Sequence, residues 1–181
     1  MKESASNAAL GGVLTALALV LGYVEHLIPF NFGIYGLKLG LSNLVTVTAL
    51  FLLGGAWAVT VNLVRILLSS LLFGSAVSLA YSLAGGMLSV AVMILVKQLN
   101  RSNKLSAAGI SILGGVTHNA GQLAVAIVLV DNLKIAFYLP VLICIGALTG
   151  FLIGATALLL LNNKGLQRSV EAIKGGKRND E

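Results

Sequence analysis

Arg65 stands nine residues into an apolar stretch that spans residues 56–72. A guanidinium does not readily shed its proton, and placing it at bilayer depth costs at least about 2.5–3.5 kcal/mol on insertion scales. Its planar fork of donors can offset that cost by binding a carboxylate or phosphate through paired hydrogen bonds. Other polar residues recur at helical spacing around it. Lys38, Ser42 and Thr46 come every four residues and share one face, with Asn43 beside it. Asn62, Arg65 and Ser69 follow at spacings of three and four. Ser78, Ser82 and Ser89, with Gly85-Gly86, mark one side of a further segment, and His118 and Gln122 are four apart with Asn119 adjacent. Such groups at membrane depth must face the bundle interior or a watery cavity. Four stripes that converge would make a binding pocket for a polar solute.

The charge of that pocket is informative. Lys38 and Arg65 are fixed cations and His118 can add a third, whereas, Asp131 apart, Glu25 at the end of the first helix is the only acid near an apolar segment on the outer side. A surplus of positive charge invites an anion. A second reading stays open, in which Arg65 pairs with Glu25 or with backbone carbonyls and holds helices together. Lys38 can equally snorkel at a helix end, and His118 and Gln122 can bridge helices by hydrogen bonds. Serine and threonine in such segments often bond their own backbone, so the cluster carries more weight than its members.

The elements that position these residues follow from composition. Hydrophobic residues make up 57% of the 181 and charged residues only 10%, with a mean hydropathy of +0.97. Soluble domains carry about 25% charged residues, so the chain belongs in a lipid bilayer as an all-α membrane protein. The apolar pattern predicts six transmembrane helices, at about 7–25, 38–53, 56–73, 76–99, 105–130 and 135–161. They form a single transmembrane domain over 1–163, followed by a charged tail over 164–181. The short pair either side of Gly54-Gly55 also fits a re-entrant hairpin. The first apolar segment lacks a basic n-region of any length and reads as a retained helix.

The net charge of +6 does not point to nucleic acid, because most of the surplus lies beside apolar segments, at 97–104 and from Lys164 onward. That is the pattern of cytoplasmic loops facing anionic lipid, and it places both termini inside. Lys38 then lies at the outer mouth, with Arg65 and His118 near mid-depth. The lone Cys144 rules out a disulfide framework or a cysteine-based metal site. There is no G-x-x-x-x-G-K-[ST] phosphate loop, no D-D-x-x-D pair and no metal-ligand spacing. No catalytic residue, cofactor or metal is assigned. Two stripes of small residues, Ala8, Gly12 and Ala16 near the start and Gly146, Gly150 and Gly154 near the end, let backbones approach closely. Each can serve packing within the bundle or docking of another membrane protein.

Several segments carry a resemblance. They are Gly36-Leu37-Lys38-Leu39-Gly40-Leu41-Ser42-Asn43, Leu63-Val64-Arg65-Ile66-Leu67-Leu68-Ser69, Phe73-Gly74-Ser75, Ala84-Gly85-Gly86 and His118-Asn119-Ala120-Gly121-Gln122-Leu123. Over about residues 8–160 the chain resembles the Gx transporter family, also labelled heptaprenyl diphosphate synthase component I. That family is grouped with the substrate-binding S components of energy-coupling factor (ECF) transporters. The resemblance implies a six-helix protein of a prokaryotic plasma membrane that captures a vitamin or similar nutrient from outside, and the surplus of cations makes that solute a small anionic nutrient or cofactor precursor. It implies partners as well: a membrane coupling subunit docked on Ala8, Gly12 and Ala16, and cytoplasmic ATPases. The solute site that the polar stripes and their charge suggest comprises Arg65, Lys38, His118, Asn119, Gln122, Asn43, Asn62, Ser69, Ser82 and Glu25. Family members often have Pro-Gly where this chain has Tyr35-Gly36. The alternatives are an accessory membrane subunit of isoprenoid or quinone metabolism that binds a prenyl diphosphate through the same cations, and a structural scaffold in a membrane redox complex.

Overall fold

A computed structural model describes residues 2–27, 40–100 and 104–174. Lys38 and the Tyr35-Gly36 pair lie outside the described residues, as does the end of the tail from 175. The elements are α1 (Lys2–Leu27), α2 (Leu41–Leu52), α3 (Gly55–Phe73), α4 (Ala76–Leu99), α5 (Ala107–Val130), a 3₁₀ turn (Leu133–Tyr138), α6 (Leu139–Leu161) and α7 (Lys164–Ile173). No strand occurs among the described residues. Five spans are long and apolar enough to cross a membrane: Ala5–Glu25, Gly55–Phe73, Ala76–Leu99, Ala107–Val130 and Leu133–Leu161.

α2 differs from these five. Its 12 residues reach only about 18 Å, against a hydrocarbon layer of about 30 Å. It is also buried on every side, through Ser42 and all six residues from Val45 to Leu50. The apolar core forms around it, with Val45, Val47, Ala49 and Leu50 against Ala18 of α1, Ala58 and Val61 of α3, Val90 and Met93 of α4, and Ile110 of α5. Its neighbours cover most of its surface, although Ser42, Asn43, Thr46 and Thr48 stand among its apolar residues.

Glycines set both ends of α2. Gly40 precedes it at φ 75° and Gly54 follows it at φ 96°, a left-handed backbone that costs residues with a Cβ more than glycine. The last carbonyls of α2 have no partner within the helix. Lys97 of α4 donates to the Leu50 carbonyl at 2.7 Å, and Lys174 donates to the Leu52 carbonyl at 3.0 Å. Cations there also suit the negative end of the helix dipole.

The region expected as a charged tail contains a helix. In α7 one face carries Leu166, Val170 and Ile173, and Val170 is buried against the bundle. Asn163 caps its start, its side-chain oxygen accepting from the Leu166 N–H at 3.1 Å. Composition read as a tail hid a period of 3.6, because the apolar face is only three residues wide.

Candidate functional site

A cavity of ≈ 340 Å³ opens among α1 to α5 at one end of the bundle. α1 brings Glu25 from its last turn and α2 brings Ser42 and Asn43 from its first. The second half of α3 supplies Arg65, Ser69 and Phe73, and the first half of α4 supplies Ser78 and Ser82. His118 and Gln122 come from α5. Each helix alternates in direction with the next, so the cavity takes the end of one and the start of the following. Lys97 and α7 lie at the other end.

Arg65 is held by neutral amides. Its Nη2 donates to Asn43 Oδ1 at 3.0 Å and to Asn62 Oδ1 at 2.7 Å, and its Nε donates to Asn62 Oδ1 at 3.1 Å. Nη1 takes part in none of these three bonds. Asn62 is itself buried, and Thr46 donates to the same oxygen at 3.5 Å. The guanidinium thus has its orientation fixed from α2 and α3 without its charge being neutralised by those contacts. Glu25 is near enough to attract it electrostatically, while the Glu25 carboxylate accepts the backbone N–H of Gly40. That bond ties the end of α1 to the start of α2.

Glycines explain how α4 brings these groups close. A Cβ at Gly85 would fall 2.8 Å from the His118 carbonyl oxygen, and one at Gly86 would fall 2.8 Å from Ile66 and 3.2 Å from Asn62. The two adjacent residues therefore admit two neighbours, α5 and α3. On α5, Gly121 meets the Ala84 carbonyl oxygen in the same way, at 2.7 Å from an added Cβ. Without these contacts His118 and Gln122 would stand farther from Arg65.

Of the residues singled out in sequence, Glu25, Asn43, Arg65, Ser69, Ser82, His118 and Gln122 line the cavity together. Asn62 stands behind Arg65 as its support. Asn119 turns elsewhere: its side-chain amide donates to the Leu142 carbonyl of α6 at 2.8 Å. One residue along a helix is a rotation of about 100°, so Asn119 leaves the face that His118 and Gln122 share. Lys38 lies outside the described residues, and among the described lining residues the fixed charges are one cation, Arg65, and one acid, Glu25.

Ala18, Gly22 and Phe73 also line the cavity and were missed. The signal existed. Ala18, Gly22 and Glu25 are spaced four and three apart on α1, and Phe73 is four beyond Ser69. Polar periodicity alone does not reveal the apolar part of the same faces. Ala8, Gly12 and Ala16 of α1 are all exposed, and a Cβ at Gly12 would meet nothing within 4 Å. Gly11, next to them, instead packs on Trp57 of α3.

Comparison with known proteins gives one match. Residues 14–160 match the family model described as heptaprenyl diphosphate synthase component I. No curated protein and no solved structure matches significantly.

Proposed function

The chain belongs to the heptaprenyl diphosphate synthase component I family, and from that premise we propose that it is a substrate-capture subunit for uptake of a small anionic nutrient or cofactor precursor. In this reading it spans a prokaryotic plasma membrane six times, with α2 as the short crossing and both termini in the cytoplasm. The observation that carries it is the Arg65 guanidinium, oriented by Asn43 and Asn62 at the wall of a serine-lined cavity. An arginine kept only to pin helices needs no cavity beside it. The anionic group of the solute takes Arg65. Ser69, Ser82, His118 and Gln122 hydrogen-bond its polar remainder, and Phe73 with Ala18 and Gly22 accepts an apolar portion.

The charge distribution supports the orientation. Lys97, Lys104, Lys164, Arg168 and Lys174 lie at the end opposite the cavity with Glu171, and α1 starts at that end with Lys2 and Glu3. By the positive-inside rule that end faces the cytoplasm and the cavity faces out. Partner ATPases supply energy through a coupling subunit that docks on the exposed Ala8, Gly12 and Ala16 face, the relation that the resemblance to ECF S components implies.

The first test is mass spectrometry of what co-purifies with gently extracted protein, followed by binding of that compound to Arg65→Ala. A charge-assisted hydrogen bond is worth about 1.5–3 kcal/mol, so Kd should rise about tenfold to a hundredfold or more. Unchanged affinity would overturn the role given to Arg65. Glu25→Gln separates the ion-pair reading: loss of thermal stability with binding intact would make Glu25 a structural counter-ion.

The family description favours a second reading, an accessory membrane subunit of heptaprenyl diphosphate or quinone metabolism, with Arg65 holding a diphosphate. Affinity capture from cell membranes separates the two. ATPases and a coupling subunit support the first. A soluble prenyltransferase whose product length changes on binding supports the second.

A further inference from the structure

A second cavity lies at the other end of the bundle, and its chemistry is opposite to that around Arg65. α7 packs on α1 and α6 and reaches the end of α2 through Lys174, and Leu166, Val170 and Ile173 form one wall of a space of ≈ 290 Å³. Leu14 and Leu17 of α1 and Val45 and Leu52 of α2 form the facing walls. Two lining residues carry hydroxyls, and both turn inward to their own helix. Thr48 donates to the Leu44 carbonyl at 2.8 Å, and Ser169 donates to the Gly165 carbonyl at 3.0 Å. What remains is a wall of carbon. A water molecule needs two to four polar partners and finds none there. Left empty, the space forfeits the dispersion contacts of every side chain around it. It suits hydrocarbon.

Its position says where the hydrocarbon comes from. Leu17 and Val13 line the space and are also 47% and 65% exposed on the outer surface of α1. The groove is therefore continuous with a face that lipid tails cover. α7 says which lipid. Its polar side carries Lys164 and Arg168, both exposed, against the single acid Glu171, and Lys174 follows directly. A short amphipathic helix with a basic outer side lies in the headgroup layer and is drawn to negative charge.

We propose that the groove between α7 and the α1–α2 pair binds one acyl chain of an anionic phospholipid, with the headgroup at the basic side of α7. The chain completes the packing that holds α7 against the end of α2. This site is independent of the solute cavity and of the transport reading.

The test uses the full-length protein in vesicles containing phosphatidylglycerol with a diazirine near the end of one acyl chain. Adducts are mapped by peptide mass spectrometry after illumination. They should concentrate on α7 and the facing residues of α1 and α2. An excess of unlabelled phosphatidylglycerol should suppress them several-fold more than the same excess of phosphatidylcholine. Ser169→Phe, which fills the groove, should reduce the adducts there while those on the outer faces of α4 and α6 persist. Lys164→Gln with Arg168→Gln should bring the two competing lipids to near parity. Even labelling around the bundle would overturn the proposal, as would equal competition by phosphatidylcholine, or displacement by a polyprenyl diphosphate that phosphatidylglycerol does not match. The competition needs no variant, so misfolding of Ser169→Phe would leave the test intact.

Discussion

Two stripes of small residues with the same four-residue spacing meet opposite fates in this molecule. Gly146, Gly150 and Gly154 of α6 are buried against α5, where an added Cβ at Gly150 would fall 2.5 Å from the Ser111 carbonyl oxygen and one at Gly154 2.5 Å from Ala108 Cα. Ala8, Gly12 and Ala16 of α1 are exposed, and Gly12 faces open space. Small residues at this spacing permit close approach of another backbone. They do not say which backbone. On α6 the guest is the preceding helix of the same chain, delivered by a short connection. On α1 the near neighbours α2 and α3 use the other side, where Gly11 receives Trp57, and leave the stripe uncovered among the described residues.

That contrast can be broken by substitution, starting with the largest effect. Gly150→Leu must separate α5 from α6 by pushing on backbone, which cannot yield as a side-chain end can. The expected cost is about 3 kcal/mol or more, at the upper end of overpacking penalties, read as a lower melting temperature in detergent. A melting temperature like that of the parent would mean that the seam is not closed as described. Gly11→Leu should cost less, about 1–3 kcal/mol, because the opposing atoms belong to the Trp57 ring 2.7 Å from an added Cβ. Tryptophan fluorescence should shift with it, since this is the chain's single tryptophan. Gly12→Leu, one residue on, should change stability by no more than about 0.5 kcal/mol, and under the proposed function it should abolish capture of a coupling subunit. Destabilisation equal to that of Gly11→Leu would erase the difference between the two sides of α1.

The polar cavity around Arg65 divides in a similar way between what spacing tells and what neighbours decide. Arg65, Ser69, His118 and Gln122 were legible because charged and polar groups within apolar helices have few places to go. Their periodicity placed them on common faces, and the requirement to avoid lipid turned those faces inward. Asn119 obeyed the same requirement differently, by bonding the Leu142 carbonyl on α6. Its sequence neighbour His118 gave no warning, because a polar side chain can be satisfied by any inward acceptor. Asn62 reads as a pocket residue by spacing; it is buried, and its side-chain oxygen accepts from Arg65, which lines the cavity. Lys38 carries part of the expected positive charge and lies outside the described residues.

The sequence by itself determined that this is a helical membrane protein, which residues punctuate its helices, and that Arg65 must find polar company. Those conclusions follow from local physics: the cost of charge and unpaired backbone in hydrocarbon, and the 3.6-residue period. Tertiary structure alone decided that short α2 is the central helix, that two lysines cap its far end, that α7 folds back over an apolar groove, and that one small-residue stripe is covered while the other is open. Each of these depends on which helices become neighbours. An apolar face or a small-residue groove fits many partners about equally well, so only the packed arrangement selects one.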